Sequence, residues 1–186
     1  MAITIKEAIP DDIHNLINLG RETYKEHFEN IWHNIDLFLD KDFSIDAVTS
    51  CINNRHMHRY LLAFDDNELV GFAKLNLNII PANEITPGVE LQKIYVKKCA
   101  TGKSIGSALL SETTKFAVEH EYNYIYLDVL KSNLKAQDFY IRNGFKVIGE
   151  MPFRTDKQEI GMFVMSKKLN MATNSSSRLL RSLGRT

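Results

Sequence analysis

The 186-residue sequence has few of the features that mark secreted or membrane proteins. Its only two cysteines, Cys51 and Cys99, give no indication of a disulfide scaffold. No apolar run approaches the roughly 20 residues that span a bilayer, and the N-terminus lacks the basic and apolar regions of a signal peptide. Basic and acidic residues both number 23, so charge favours neither nucleic acid nor an anionic membrane. We therefore expect a cytoplasmic protein with no nucleic-acid and no membrane partner.

The sequence also has few histidine and cysteine patterns that would suit metal binding or thiol catalysis. His56 and His58 are two residues apart, a spacing that suits neither one helix face nor the usual zinc motifs. Cys99 stands among lysines, but the local sequence offers it no partner base. We therefore predict no metal site and no catalytic cysteine.

The most informative segment is residues 91–106, LQKIYVKKCATGKSIG, where a glycine-bearing loop joins a predicted strand to a predicted helix. Such a loop points backbone N–H groups and the positive end of a helix dipole at one position, which suits a phosphate. It is not a nucleoside-triphosphate P-loop, because Lys97 stands where that motif needs its first glycine. It is not a dinucleotide loop either, because Ser104 replaces the second glycine.

A second segment, NLKAQDFYIRNGF at residues 133–145, follows a predicted strand at residues 124–129. Asn133 can cap the next helix, and Gly144 can end that helix in a left-handed turn. Taken by itself, Tyr140 is more typical of a core or surface aromatic than of a catalyst.

Together the two segments resemble the GCN5-related N-acetyltransferase (GNAT) superfamily. The second matches N-x-x-A-x-x-F-Y-x-x-x-G-F at every specified position. The first is similar to the acyl-CoA loop Q/R-x-x-G-x-G/A, with Thr101 at the Q/R position, Ser104 at the first glycine and Gly106 at the last. Ser104 could donate its hydroxyl to a phosphate, but its Cβ could crowd the pyrophosphate and weaken cofactor binding.

The resemblance covers about residues 3–169. It implies an α/β (α+β) fold with a mixed, mostly antiparallel central sheet, flanked by helices on both faces. Strands at residues 89–96 and 124–129 should splay apart to hold acetyl-CoA. We expect one domain at residues 1–169 and a C-terminal extension at residues 170–186, either disordered, a short amphipathic helix or an expression remnant.

The resemblance also implies which residues bind acetyl-CoA. They belong to the strand, the loop and the second motif: Ile94, Tyr95, Val96, Thr101, Gly102, Lys103, Ser104, Ile105, Gly106, Ser107, Asn133, Ala136 and Tyr140. Lys97, Lys98 and Lys103 keep the loop positive and could meet the 3′-phosphate of coenzyme A.

The same resemblance assigns the catalytic roles. Tyr140 is expected to protonate the departing thiolate, and backbone N–H groups near residues 94–96 are expected to stabilise an oxyanion. Presenting an amine of pKa 10.4 in its neutral form near pH 7.4 costs about 4 kcal/mol. Glu90 is the predicted base that removes this proton. Transfer should be direct, without a covalent enzyme intermediate.

The acceptor is predicted from charge and from a looser similarity. Two stretches, ETYKEHFEN and VELQKIYV, are similar to bacterial polyamine (spermidine/spermine) N-acetyltransferases. The N-terminal helical region is rich in carboxylates interleaved with Tyr24, Trp32 and Phe38, which could line a cationic groove or form solvated helix faces. These carboxylates are Glu22, Glu26, Glu29, Asp36, Asp40, Asp42 and Asp46.

We therefore expect an enzyme that moves the acetyl group of acetyl-CoA to a primary amine, here a polyamine or a similar small cationic amine. Two alternatives stay open. The acceptor could be a protein N-terminus or a lysine, or the chain could be an acyl-CoA-binding regulatory domain without catalysis. A homodimer is compatible with the sequence.

Overall fold

The computed structural model describes residues 2–81 and 84–170. The predicted extension therefore lies, apart from Asn170, outside the described residues. None of the helices in the described ranges combines the length and apolar character needed to cross a bilayer.

Strands and helices follow one another in groups along the described residues. The described elements are β1 Ile3–Glu7, α1 Ile13–Phe28, α2 Ile35–Asp42, α3 Ile45–Asn53, β2 His58–Asp65, β3 Glu68–Ile79, β4 Gly88–Val96, α4 Ile105–Glu119, β5 Tyr124–Leu130, α5 Leu134–Arg142, β6 Lys146–Arg154 and β7 Glu159–Lys168. Helix α3 is separate from α2, because Ser44 caps a new helix by accepting a 3.1 Å hydrogen bond from the Ala47 N–H.

One seven-stranded sheet runs in the order β1-β2-β3-β4-β5-β7-β6. Every pair is antiparallel except β4 with β5, and this parallel contact is limited to the pairs Val89–Ile125 and Glu90–Tyr126. Gly88 begins β4 at the same point, where a Cβ would lie 2.7 Å from the Tyr124 carbonyl oxygen. Beyond Glu90 the two strands separate, which confirms the predicted splayed sheet.

Each face of the sheet is covered by its own apolar core. Helix α4 buries Ile105 and Leu109 against one face, where Leu75 and Leu127 are also buried. Helices α1 to α3 cover the opposite face of the N-terminal strands, around the fully buried Leu39. Helices therefore flank the sheet on both faces, as predicted.

A β-bulge in β4 decides which side chains reach which face. Lys74 of β3 pairs with Lys93, but the next residue, Leu75, pairs with Leu91, so Gln92 is an extra residue in β4. A single inserted residue reverses the alternation beyond it. Leu91 consequently shares the α4 face with Ile94 and Val96, whereas Lys93 and Tyr95 turn to the face covered by α1.

The turn between β6 and β7 connects the two diverging halves of the sheet. Because Met162 of β7 pairs with Leu130 at the end of β5, this turn extends beyond the open end of the splay. There the Asp156 carboxylate accepts hydrogen bonds from the backbone N–H groups of His33 and Asn34, at 2.8 and 2.7 Å. The turn thereby closes one end of the gap between β4 and β5.

Candidate active site

The edge of β4 that faces β5 is where the predicted strand residues lie. Ile94, Tyr95 and Val96 pair with β3 on their other edge, while β5 has already turned away. Backbone N–H groups on this open edge are therefore available to a bound carbonyl group. The Tyr95 ring packs 5.6 Å from that of Phe28, and burial raises the pKa of its hydroxyl well above the ordinary value.

The predicted phosphate loop is an exposed turn in front of α4. Gly102 and Ser104 both adopt left-handed backbone conformations, with φ angles of 84° and 63°. Alternating backbone conformations of this kind form a concave set of N–H groups that suits an anion. Ser104 occupies the N-cap position but makes no capping hydrogen bond with its side chain, contrary to its propensity. Because glycine adopts a left-handed conformation with less strain than other residues, this backbone position would accommodate glycine more easily than Ser104.

The rest of the loop is ordered by local contacts. The Thr101 hydroxyl donates a 2.7 Å hydrogen bond to the Lys98 carbonyl oxygen. Space is open over Gly102, where an added Cβ would meet no atom within 4 Å. Ile105 is buried in the α4 core, and this anchors the helix start while Gly106 and Ser107 remain at the surface side.

Two of the three loop lysines are engaged with carboxylates of the chain. The Lys103 ammonium lies 2.7 Å from Asp65, and this hydrogen bond raises its pKa. The Lys97 ammonium lies 3.4 Å from Glu68. Lys98 is exposed and its ammonium forms no ion pair with any residue in the described ranges. Of the three, Lys98 is therefore best placed to meet a phosphate.

Helix α5 presents the second motif on the α4 side of the splay. The Asn133 side chain caps the helix by accepting a 3.1 Å hydrogen bond from the Ala136 N–H, as predicted. Gly144 ends it with a φ of 87°. Tyr140 is 7% exposed between the rings of Phe139 and Phe145, and burial raises the pKa of its hydroxyl. No described residue hydrogen-bonds that hydroxyl, so it can donate to a ligand.

An acidic pocket of about 260 Å³ opens on the opposite side of the splay. The carboxylates of Glu90, Asp128 and Glu150 line it, from β4, β5 and β6. Its remaining walls are aromatic and aliphatic, from Ile79, Pro81, Tyr126, Leu127, Ile148, Met151 and Val164. The structure thus places Glu90 at the splay, apart from Tyr140, which packs on the α4 face.

Asp128 is the pocket residue that the sequence analysis missed. Burial, with a smaller effect from the nearby Glu90 charge, raises the pKa of the Asp128 carboxyl to about 6. A carboxylate tuned in this way can exchange a proton near neutral pH. The alternation of Asp128 with Tyr124 and Tyr126 along the strand places these three residues on one face. It does not show which residues lie across the pocket, because these depend on strand register.

Two interpretations were open for the carboxylate-rich N-terminal helices, a cationic groove and solvated helix faces, and the contacts of these residues favour the second. Tyr24, Phe38 and Trp32 pack on one another, with Tyr24 stacked 4.3 Å from Phe38, and belong to the core rather than to a cleft. Most of the predicted carboxylates are neutralised within the chain. Their ion pairs are Asp36–Lys25 at 2.8 Å, Asp40–Arg21 at 2.9 Å, Asp42–Lys93 at 2.6 Å and Glu22–Lys97 at 3.7 Å.

No group of three or more His, Cys, Asp and Glu side chains in residues 2–81 and 84–170 is arranged to hold a metal ion. Among the described residues, the polar groups of the splay include backbone amides, the phenols of Tyr126 and Tyr140, and carboxylates.

A splayed mixed sheet, an open β4 edge and a phosphate loop before α4 define an acyl-CoA-dependent N-acetyltransferase. The model of the Acetyltransferase (GNAT) family matches residues 17–145. The chain therefore belongs to this family, and it is an acetyl-CoA-dependent enzyme.

Relatives match along most of the chain. Spermidine N(1)-acetyltransferase of Thermoplasma acidophilum is 29% identical over 173 residues, which cover 90% of this chain and 98% of that protein. The crystal structure of PaiA N-acetyltransferase from the same organism, in complex with coenzyme A, superimposes with a TM-score of 0.73 at 30% identity, covering 91% and 100% of the two chains. The ribosomal-protein-S18-alanine N-acetyltransferase of Escherichia coli shares the fold, with a TM-score of 0.70 at 16% identity and coverage of 93% and 97%.

The loop and splay of this chain fit the cofactor. Left-handed backbone at Gly102 and Ser104, the start of α4 and the exposed Lys98 suit a pyrophosphate and a phosphate. The open edge of β4 suits the amide-bearing arm of coenzyme A, since amide groups pair with the free N–H and C=O groups of a strand edge.

We predict that Ser104→Gly increases the affinity for coenzyme A several-fold, because it relieves a left-handed side chain and removes a Cβ from the loop. Titration calorimetry with coenzyme A measures this. The matched variant Ser104→Ala keeps the Cβ and loses the hydroxyl. If Ala binds as tightly as Gly, crowding by the Cβ is not what limits affinity.

We predict that Asp128→Asn raises the free energy of unfolding by about 1 to 2 kcal/mol at pH 7.5, after allowance for partial exposure. The native pKa of about 6 exceeds the ordinary value, so the folded state binds this proton more tightly. Wild-type stability therefore falls as the pH rises through this range, and the advantage of the variant should shrink towards pH 4. Urea denaturation checks this, with exposed Asp138→Asn as the control. An advantage independent of pH would contradict the explanation.

Proposed function

We propose that this enzyme transfers the acetyl group of acetyl-CoA directly to a primary amine of a small cationic acceptor, with polyamines as the leading class. The observation that carries the proposal is the acidic pocket beside the splay, where Glu90 and Asp128, together with a Glu150 that is ion-paired with Lys131, face an apolar and aromatic wall. A flexible chain with two or more ammonium groups needs both features, carboxylates for its charges and apolar surface for its methylenes. The name of the Thermoplasma relative supports the same class.

The size of the pocket favours a small acceptor over a protein. A space of about 260 Å³ accommodates a slender amine rather than a peptide segment.

When bound, acetyl-CoA supplies an acetyl group activated as a thioester. Tyr140 donates its hydroxyl proton towards the sulfur, where negative charge develops. Burial raises the Tyr140 pKa further above the ordinary thiol value of about 8.5, so a strengthening hydrogen bond is favoured over complete proton transfer. Asn133 caps α5 and thereby orients the start of the helix that carries Tyr140.

Glu90 removes the proton of the incoming ammonium, directly or through water. Glu90 is the last residue of the short pairing of β4 with β5, and it borders the pocket. An amine that enters through the pocket therefore meets the Glu90 carboxylate before it meets the carbon of the acetyl group. Asp128 lies beside it with a pKa of about 6, so it is mostly ionised at pH 7.5 and attracts the cation.

A catalytically silent acyl-CoA binder is the second candidate, and the serine at the first loop glycine is the observation in its favour. A silent binder would have no need of a carboxylate-lined pocket. The pocket, and a Tyr140 hydroxyl that has no hydrogen-bond partner among the described residues, therefore favour the enzyme.

The deciding experiment measures thiol release from acetyl-CoA with spermidine, spermine, small monoamines and lysine-containing peptides. We expect kcat/KM for the polyamines to exceed that for monoamines and peptides by at least about tenfold, because only polyamines offer several charges to the pocket. Preferred turnover of peptides would support a protein acceptor instead. Coenzyme A binding without turnover of any amine would support the silent binder.

We predict that Tyr140→Phe lowers kcat by about 10²- to 10³-fold, the usual effect of losing a donor that stabilises developing charge. The affinity for acetyl-CoA should change little, because the phenyl ring keeps the packing against Phe139 and Phe145. Steady-state kinetics and calorimetry measure the two effects. The matched control is Tyr122→Phe, which changes a tyrosine in the turn that precedes β5. An unchanged kcat in Tyr140→Phe would remove this tyrosine from the mechanism.

A further inference from the structure

A row of three polar side chains crosses the sheet and ends at the pocket. His58 of β2 is the register partner of Asn76 in β3, and Asn76 is the register partner of Glu90 in β4. Directly paired residues of neighbouring strands point to the same face of a sheet. The three side chains therefore lie side by side, and Glu90 is the one that borders the splay.

Hydrogen bonds join the row into a chain. The Asn76 amide Nδ2 donates to Glu90 Oε2 at 2.6 Å, and the Asn76 carbonyl Oδ1 lies 2.8 Å from His58 Nδ1. An ionised carboxylate only accepts, so the amide nitrogen of Asn76 must face Glu90 and its oxygen must face His58. His58 Nδ1 must then carry a hydrogen. Each member consequently fixes the orientation of the next.

Asn76 is placed where an apolar residue would serve stability better. It is 7% exposed, between the buried Leu75 and Leu77 in sequence. A buried amide costs free energy unless its hydrogen bonds are satisfied, and both of its satisfying partners belong to this row. A role at Glu90 accounts for its presence.

We propose that Asn76 and His58 are positioning residues for Glu90: Asn76 fixes Oε2 so that the other oxygen meets the acceptor amine, and His58 fixes the amide of Asn76. This inference rests on the role proposed for Glu90. The charged and titratable groups around Glu90, besides His58, are Lys93 on its own strand, Tyr126 and Asp128 of β5, and Glu150 of β6. None of these four belongs to the hydrogen-bonded row.

The first test is a double-mutant cycle of Asn76→Leu and Glu90→Gln, with kcat/KM for the best amine of the panel as the readout. Asn76→Leu keeps the volume and removes the donor. We expect it to lower kcat/KM about tenfold, the usual effect of losing a hydrogen bond to a charged group, with an unchanged KM for acetyl-CoA. The acidic limb of its pH–rate profile should move to higher pH, because an ionised carboxylate has lost a donor. In the Glu90→Gln background Asn76→Leu should cause no further loss.

The second test uses His58, which is only partly buried, so that the inference stays testable if Asn76→Leu does not fold. His58→Gln retains an N–H donor and should keep kcat/KM within about threefold of wild type, whereas His58→Leu should lower it further. The exposed His56→Leu is the matched control.

The outcomes separate the two claims. If Glu90→Gln retains wild-type kcat/KM, the proposed role of Glu90 fails, and this inference fails with it. The inference alone fails in two cases, both with an impaired Glu90→Gln. In the first, Asn76→Leu has no effect on kcat/KM. In the second, the loss in the double variant is the product of the losses in the two single variants. Equal activities of His58→Gln and His58→Leu would overturn the part assigned to His58.

Discussion

The short parallel contact between β4 and β5 is the constraint on which the rest of the site depends. Two residue pairs hold the halves of the sheet together, at Val89–Ile125 and Glu90–Tyr126, and the strands then diverge. A continued ladder would satisfy the backbone groups of residues 94–96 and leave no room for a cofactor. A missing ladder would separate Glu90 from Asp128. The open edge of β4 and the approach of Glu90 to Asp128 therefore both require that the strands pair and then part.

Divergence leaves strand edges unsatisfied, and the fold limits the cost in two ways. On the α4 side, α5 packs Tyr140 and Phe145 against the apolar core beside the gap. At the open end, the β6–β7 turn is held by Asp156 to the backbone after α1. The gap is therefore framed on several sides, which keeps its shape defined without a bound ligand.

Electrostatics distinguishes the N-terminal helices, where most carboxylates form ion pairs, from the pocket, where Glu150 is paired with Lys131 but Glu90 and Asp128 have no ion-pair partner among the described residues. The N-terminal helices neutralise their carboxylates with Lys25, Arg21 and Lys93. In the pocket, Glu90 and Asp128 face each other, and their repulsion adds to the burial that raises the Asp128 pKa to about 6. Like charges kept close cost stability, and this cost is typical of functional sites. A cationic acceptor would relieve it.

The sequence by itself determined the strands that precede the two motifs, the loop before α4, and the cap and left-handed end of α5, because hydrophobic periodicity and capping are local properties. The family resemblance also pointed to Glu90 and Tyr140, whose roles remain predictions. Only the tertiary structure decided that Asp128 and Glu150 join Glu90, that Asn76 and His58 form a hydrogen-bonded row with it, and that Lys97 and Lys103 turn to acidic partners. These contacts join residues far apart in the chain, and they depend on strand register and on the one-residue bulge at Gln92.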